Sequence, residues 1–421
     1  MTFNDKLFLP KDTITAFKGS HTFVQKTSIF GGIYYLFFPK QKKKVFLVID
    51  NKDSITITLS GSDPLGTVQT KDTENNIFFQ YQRISDSLLI IDSLFESEKS
   101  RGKKFNLSQQ EAFFKQKRDT LMAFRQNAIP KLAEKGILSL HFKTLNQIDS
   151  YLPQRTRPDL RDSFIQKFDI NDPRLLFSDN LEKIFYEYLS SFPMKADSLQ
   201  KGIDTIMGKI NCNSKSRPYA IDYFISIIRN RNIQDNTQGL VNLIEKHVLK
   251  SKCNFTDSLK LNQYRTLYES NKKLTEQIQA VDMSLKDTLG TEISLSDFAS
   301  KYDYTMIIFY SPTCEHCHVE VPAMDSVLNL LEKQFKINIG RYAICNEPEV
   351  QDSTWKRFIT KHQLLTHYAH IQMPSNHTAR EQYDAYSNPT FYLIDNTQKF
   401  LARKTGPSAV KSYLNQLEKE K

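Results

Sequence analysis

The sequence predicts a multidomain chain with an antiparallel β domain over residues 1–84, an all-α domain over 85–280 and a layered α/β domain over 285–421. Three observations carry this. Short runs rich in β-branched and aromatic residues sit between turn formers near the start, apolar residues recur at helical spacing from Ile84, and strand-like and helix-like stretches alternate beyond residue 281. At 421 residues the chain is too long for one core.

The β region holds the runs Ile33–Phe38, Lys44–Ile49 and Ile55–Leu59, separated by Pro39–Lys43 and Asp50–Ser54. Gly31-Gly32 and Gly61–Pro64 punctuate it as turns. It carries no catalytic constellation and reads as a structural or docking module. In the helical region Ile84, Leu88, Ile91 and Phe95 share a face, and Phe113, Phe114, Lys117, Leu121 and Phe124 repeat the habit. Tyr219–Ile228, Leu240–Leu249 and Leu259–Val281 read as further helices, with Pro153, Pro158, Pro173, Pro193 and Pro218 between segments. Cys212 and Cys253 have no close cysteine partner in sequence and read as ordinary core or surface thiols.

The α/β region opens with a turn at Asp287–Gly290, a short strand at Glu292-Ile293 and a helix start at Leu295–Ala299 with a capping serine. Met306–Tyr310 is a continuous apolar run, expected as a strand buried on both faces. Cys314-Glu315-His316-Cys317 follows, and Val319, Met324, Val327, Leu328 and Leu331 then recur at helical spacing, which puts Cys314 at a helix start and Cys317 in its first turn. There the unpaired N–H groups and the helix dipole favour a thiolate at Cys314, and Cys317, more buried, lies close enough to close a disulfide. The pair therefore reads as a thiol–disulfide exchange centre with Cys314 attacking and Cys317 resolving. A partly protonated His316 would add positive potential there, offset in part by Glu315, and would stabilise the reduced form, making the pair more oxidising toward its partners. The rest alternates: a helix at about 318–334, a strand Ile337–Ile344, an amphipathic stretch Trp355–Leu364, then Ala379–Tyr386 leading into Ser387-Asn388-Pro389-Thr390. A strand Phe391–Asp395, a turn, a strand Phe400–Arg403 and a helix Ser408–Lys419 close the chain.

Composition narrows the function. Aromatic residues at 12% and charged residues at 25% describe a globular protein, and the net charge of +10 is spread out, with Lys42-Lys43-Lys44 the one tight cluster. No basic patch interleaved with aromatics suggests a nucleic-acid partner. No run reaches the roughly 18–20 apolar residues of a membrane span. Met1–Lys6 lacks the pattern of an export signal, so either the protein is cytosolic or a signal has been removed. Five cysteines, two of them closely spaced, point to redox catalysis rather than stapling. No cofactor or metal is called for. Cys345 and the sole tryptophan, Trp355, read as core.

The order strand, Cys-X-X-Cys helix, strand, helix, Pro-Thr before a hairpin, helix resembles the thioredoxin superfamily over about residues 285–421. Pro322, five residues after Cys317, stands where the family has a helix-kinking proline, and Asn388-Pro389-Thr390 stands where it has a substrate-binding cis-proline loop. Leu285–Asp297 is similar to the lead-in of the TlpA and ResA branch of envelope disulfide reductases. The layout resembles multidomain envelope proteins of Bacteroidetes, in which a β domain and a helical domain precede the thioredoxin fold behind a secretion or lipoprotein signal. The resemblance implies protein or peptide disulfide and dithiol substrates, an upstream electron donor, a periplasmic location and membrane attachment through a removed lipoprotein signal. Two residues depart from the family: Ile308 stands where thioredoxins bury an acid, and Thr313 where many relatives have an aromatic residue.

Other chemistries share these residues. Cys314-Glu-His-Cys317-His318 also fits the pattern of covalent c-type haem attachment, which would make an electron-transfer protein. Cys314, Cys317 and His318 could supply three zinc ligands, lacking a fourth. A thioredoxin fold serving only as a docking scaffold is the remaining alternative.

Overall fold

The computed structural model describes residues 31–49, 55–59, 63–100, 107–152, 158–230, 233–253, 255, 257–288, 290–347, 350–374 and 378–420. Residues 1–30 of the expected β domain, the turn at 50–54, and Gly61, Ser62, Pro153 and Leu289 lie outside them. The chain has antiparallel hairpins at its N-terminal end, a helix-rich central region and a C-terminal mixed α/β sheet with the thioredoxin fold. It divides into two compact units, residues 1–191 with 209–219, and residues 192–208 with 220–421.

In the first unit β1 (Gly32–Phe38) pairs antiparallel with β2 (Lys43–Ile49), and β3 (Ile57–Thr58) pairs with β4 (Gln69–Thr70) around the short α1 (Pro64–Thr67). Helix α2 (Thr73–Ser100) covers the hairpin. Its side-chain amides close the outer edge of β2. Gln82 accepts from the Phe46 N–H at 2.8 Å and donates to its carbonyl at 2.7 Å, and Asn75 does the same for Val48 at 2.7 and 2.8 Å. An edge that would otherwise invite pairing is thereby satisfied. The helix begins ahead of Ile84, because Ile77, Phe78 and Phe79 pack on the hairpin while Asn75 and Gln82 face its edge. Helices α3 (Leu107–Ala128), α4 (Ile137–Tyr151), α5 (Pro158–Gln166) and α6 (Asn180–Leu189) continue this unit.

The helices that follow are α7 (Ala196–Lys209), α8 (Ser216–Ile228), α9 (Asn236–Ile244), which runs on through a π turn at Glu245–Leu249, and α10 (Ser258–Glu276). Pro158 and Pro218 fall within the first turns of α5 and α8 rather than between helices, where a missing N–H leaves no bond unmade.

The C-terminal domain opens with the hairpin β5 (Ser284–Lys286) and β6 (Glu292–Ser294). Helix α11 (Leu295–Ala299) follows, capped by Ser294, whose hydroxyl accepts from the Asp297 N–H at 3.0 Å. Then come β7 (Tyr304–Tyr310), α12 (Cys317–Phe335), β8 (Ile339–Cys345), α13 (Asp352–Lys361), β9 (Tyr368–Gln372), α14 (Ala379–Gln382), β10 (Thr390–Asp395), β11 (Phe400–Ala402) and α15 (Pro407–Glu420). The sheet order is β11-β10-β7-β8-β9; β7, β8 and β9 are parallel, and β10 runs antiparallel to β7 and β11. Met306, Ile308 and Tyr310 pack under α12, α13 and α15, while Ile307 and Phe309 face Leu295, Phe298 and Tyr383. Burial on both faces explains the unbroken apolar run. The buried Arg341 of β8 fixes α12 by bonding Glu332 at 2.9 Å and Asn329 at 2.8 Å, with Asp325 at 3.3 Å.

Candidate active site

Strand β7 ends at Tyr310, and Ser311–His316 turns the chain into α12. Ser311 is buried and touches both cysteines: its N–H reaches the Cys317 sulfur at 3.5 Å, and its carbonyl accepts from the Cys314 N–H at 3.2 Å. Cys317 is fully buried as the first residue of α12, and Cys314 is half-buried in the turn before it. The helix thus starts later than the sequence suggests, with His316 at the N-cap position. The Cys314 carbonyl already accepts from the Cys317 N–H at 3.0 Å in a tight turn, so Cys314 precedes the helix rather than opening it. Both thiols are free and face each other. Burial pushes the Cys317 thiol well up, reinforced by the neighbouring Cys314 and opposed by the Ser311 N–H.

The Asn388–Pro389 peptide is cis, as expected. The Asn388 carbonyl accepts from the Cys314 thiol at 3.6 Å, so the loop lies against the exposed partner of the pair. Pro389 is buried, and Thr390 turns its hydroxyl back to the Ser387 carbonyl at 2.5 Å. Glu315 and His316 are exposed on the turn, and Pro322 lies inside α12. His318, the residue a haem or zinc reading would use, shares a 2.7 Å hydrogen bond with His362.

Ile308, where the family buries an acid, is fully buried. Beneath the site runs a chain without a carboxylate. Trp355 Nε1 donates to Tyr310 Oη at 2.6 Å, Tyr310 meets His370 Nδ1 at 3.3 Å, and His370 Nε2 donates to the Leu364 carbonyl at 2.6 Å. Burial lowers His370 to about 4, against the Leu364 bond, so the ring is neutral. Cys345 is buried in the core, its thiol pushed up to about 12 by burial.

Sequence reasoning missed Ser311, Asn346 and Glu347. Glu347 accepts from Ser311 Oγ at 2.5 Å and from Thr313 Oγ1 at 2.9 Å. Asn346 donates to Asn388 Oδ1 at 3.1 Å and to the Ala385 carbonyl at 2.8 Å. The available signal was topological, because parallel β7 and β8 end side by side with Tyr310 opposite Cys345, so the residues just past Cys345 must flank those just past Tyr310.

Outside the site, one reading is corrected. Cys212 and Cys253 are disulfide-bonded rather than ordinary thiols, a state that their spacing in sequence does not disclose. Among the described residues no helix is long and apolar enough to cross a membrane, and no three His, Cys, Asp or Glu side chains gather as a metal set.

A mixed five-stranded sheet with a dithiol turn leading into a helix, faced by a cis-proline loop, defines a thioredoxin-like domain. Residues 277–402 match the AhpC/TSA family. No curated protein matches the chain significantly. Among solved structures, a domain of a possible thiol-disulfide isomerase from Cytophaga hutchinsonii is similar at 26% identity, over 34% of this chain and 92% of that one, with a TM-score of 0.29. A thioredoxin-like protein from Bacteroides caccae is similar at 15% identity over 62% and 84%, with a TM-score of 0.42. A thiol-disulfide oxidoreductase from Bacteroides fragilis is similar at 23% identity over 33% and 98%, with a TM-score of 0.28.

Proposed function

We propose that this chain is a protein thiol–disulfide oxidoreductase, acting as a reductase through Cys314 and Cys317. The observation that carries the reading is the asymmetric dithiol, one thiol half-exposed and one fully buried, held against the Asn388–Pro389 loop. In the reducing direction the Cys314 thiolate attacks one sulfur of a substrate disulfide and expels the other as a thiol. Cys317 then gives up its proton and attacks Cys314 Sγ, releasing the second substrate thiol and leaving the Cys314–Cys317 disulfide. Two electrons have passed to the substrate, and an upstream dithiol donor restores them. Asn388, Pro389 and Thr390 provide the backbone against which an extended substrate lies. The test is the variant pair Cys314→Ser, expected to be inactive, and Cys317→Ser, expected to accumulate mixed disulfides with its partners.

His316 and Glu315 tune the pair in this reading. Exposed at the N-cap of α12, His316 adds positive potential that stabilises the thiolate and hence the reduced form. His316→Ala should lower the reduction potential by about 30 mV, a tenfold change in the glutathione equilibrium. An unchanged potential would leave the histidine without a role.

Residues 1–84 and 85–280 are proposed as separate domains that select partners for the 285–421 domain. We place the protein in an oxidising envelope compartment. The disulfide-bonded Cys212 and Cys253, remote in sequence from the site, support that compartment. In cells quenched with acid and alkylated, both should be oxidised throughout; finding them as free thiols would put the protein in the cytosol.

A further inference from the structure

We infer that Glu347 is a positioning residue of the dithiol and that its carboxylate keeps the pair reducing; this rests on the exchange chemistry proposed above. Glu347 lies two residues past the end of β8, and its Oε2 receives both hydroxyls of the cysteine turn, Ser311 at 2.5 Å and Thr313 at 2.9 Å. Those hydroxyls lie 3.0 Å apart, and Ser311 Oγ also accepts the Thr313 N–H at 3.2 Å. The clasp acts on Ser311, whose own backbone contacts the Cys317 sulfur and the Cys314 N–H. Holding the Ser311 side chain therefore holds the spacing of the two thiols.

The carboxylate is fixed in turn by its neighbour. Asn346 donates its N–H to the Tyr310 carbonyl at 2.7 Å, and its side chain bonds Asn388 and the Ala385 carbonyl. Arg380 bonds the Asn346 side-chain oxygen at 2.9 Å and its carbonyl at 3.0 Å. Asn346 and Glu347 thus grip the cis-proline loop on one side and the cysteine turn on the other.

A fixed negative charge beside a dithiol opposes thiolate formation. The thiolate belongs to the reduced state, so Glu347 raises the free energy of the reduced form and makes the pair a stronger reductant. With the family's strand acid replaced by Ile308, Glu347 supplies a carboxylate from the neighbouring strand, clasping the turn instead of lying beneath it.

The test is the redox equilibrium of the full chain in glutathione buffers, read as the oxidised fraction of Cys314 and Cys317 by alkylation and mass spectrometry. Glu347→Gln keeps an acceptor oxygen and removes the charge. It should shift the equilibrium about tenfold toward the dithiol, which is about +30 mV in potential. Glu347→Asp keeps the charge and should remain close to wild type. A Gln variant that equilibrates like wild type overturns the inference, and so does a pair of variants that shift together, since that is what a purely packing role predicts. Thr313→Val, at an exposed position, releases one clasp and leaves the charge; a tenfold shift from this variant alone would also overturn it. If wild-type Cys314 and Cys317 fail to exchange with glutathione at all, the exchange function itself fails, a result distinguishable from the other three.

Discussion

A chain carrying Cys314→Ser should reduce a protein disulfide no faster than background, a loss of roughly 10³-fold or more on the scale of nucleophile removals. The remaining cysteines cannot take over. Cys317 has no exposed surface and its thiol is pushed up by burial, and Cys345 is equally enclosed in the core. Cys317→Ser should differ in kind. Its Cys314 still attacks, but nothing displaces the substrate, so mixed disulfides accumulate and run as higher species on non-reducing gels. Cys345→Ala should retain exchange and lose about 1 kcal/mol of stability for the atoms removed from the core. Trapping that requires removal of Cys314 instead would reverse the two roles. The same trap examines residues 1–280: a 285–421 fragment carrying Cys317→Ser should capture a broader set of partners than the full chain, and an identical set would remove the partner-selecting role proposed for the upstream domains.

What the sequence disclosed about this site followed from how local each signal was. The Met306–Tyr310 run, the two cysteines and Pro389 are patterns of a few adjacent residues, and each sits where it was expected to within a turn. Strand β9 was invisible because Tyr368, His370 and Gln372 alternate with Ala369 and Ile371 over five residues, a weak pattern at an edge position. The start of α2 was masked by Ile77, Phe78 and Phe79, three adjacent apolar residues whose helical role depends on the hairpin beneath them. Glu347 and Asn346 could not be read locally at all. They reach the cysteine turn only because β7 and β8 are paired in parallel register, a relation between residues more than thirty positions apart. The Cys212 and Cys253 disulfide states were hidden for the same reason.

Acid should destabilise the helix-rich region well above the carboxylate range, and His141 of α4 should account for most of the effect. The ring is 5% exposed, donates from Nδ1 to Asn180 Oδ1 at 2.7 Å, and packs edge-on to Phe78. Burial lowers it from 6.5 to about 4; Asp179, 3.9 Å away, opposes the shift, while Lys183 and Arg125 add to it. With its folded value depressed, His141 is neutral in both states above 6.5, and its contribution is complete there. Below 6.5 the unfolded chain takes up a proton that the native ring refuses, so stability falls until about 4 and then levels off. The drop is about 3 kcal/mol over that window. His370, also lowered by burial to about 4, should add an acid loss of the same sense in the C-terminal domain. Asp149 and Glu182, raised by burial, work in the opposite direction as the pH falls, so the histidine share is read by difference. His141→Gln keeps a partner for Asn180 and cannot titrate. Its unfolding, followed by far-ultraviolet circular dichroism, should lose most of the slope between pH 6.5 and 4, while the fluorescence of Trp355, the sole tryptophan, should report an unaltered acid response in the C-terminal domain. An undiminished slope in the dichroism of His141→Gln would show that some other group sets the acid limit.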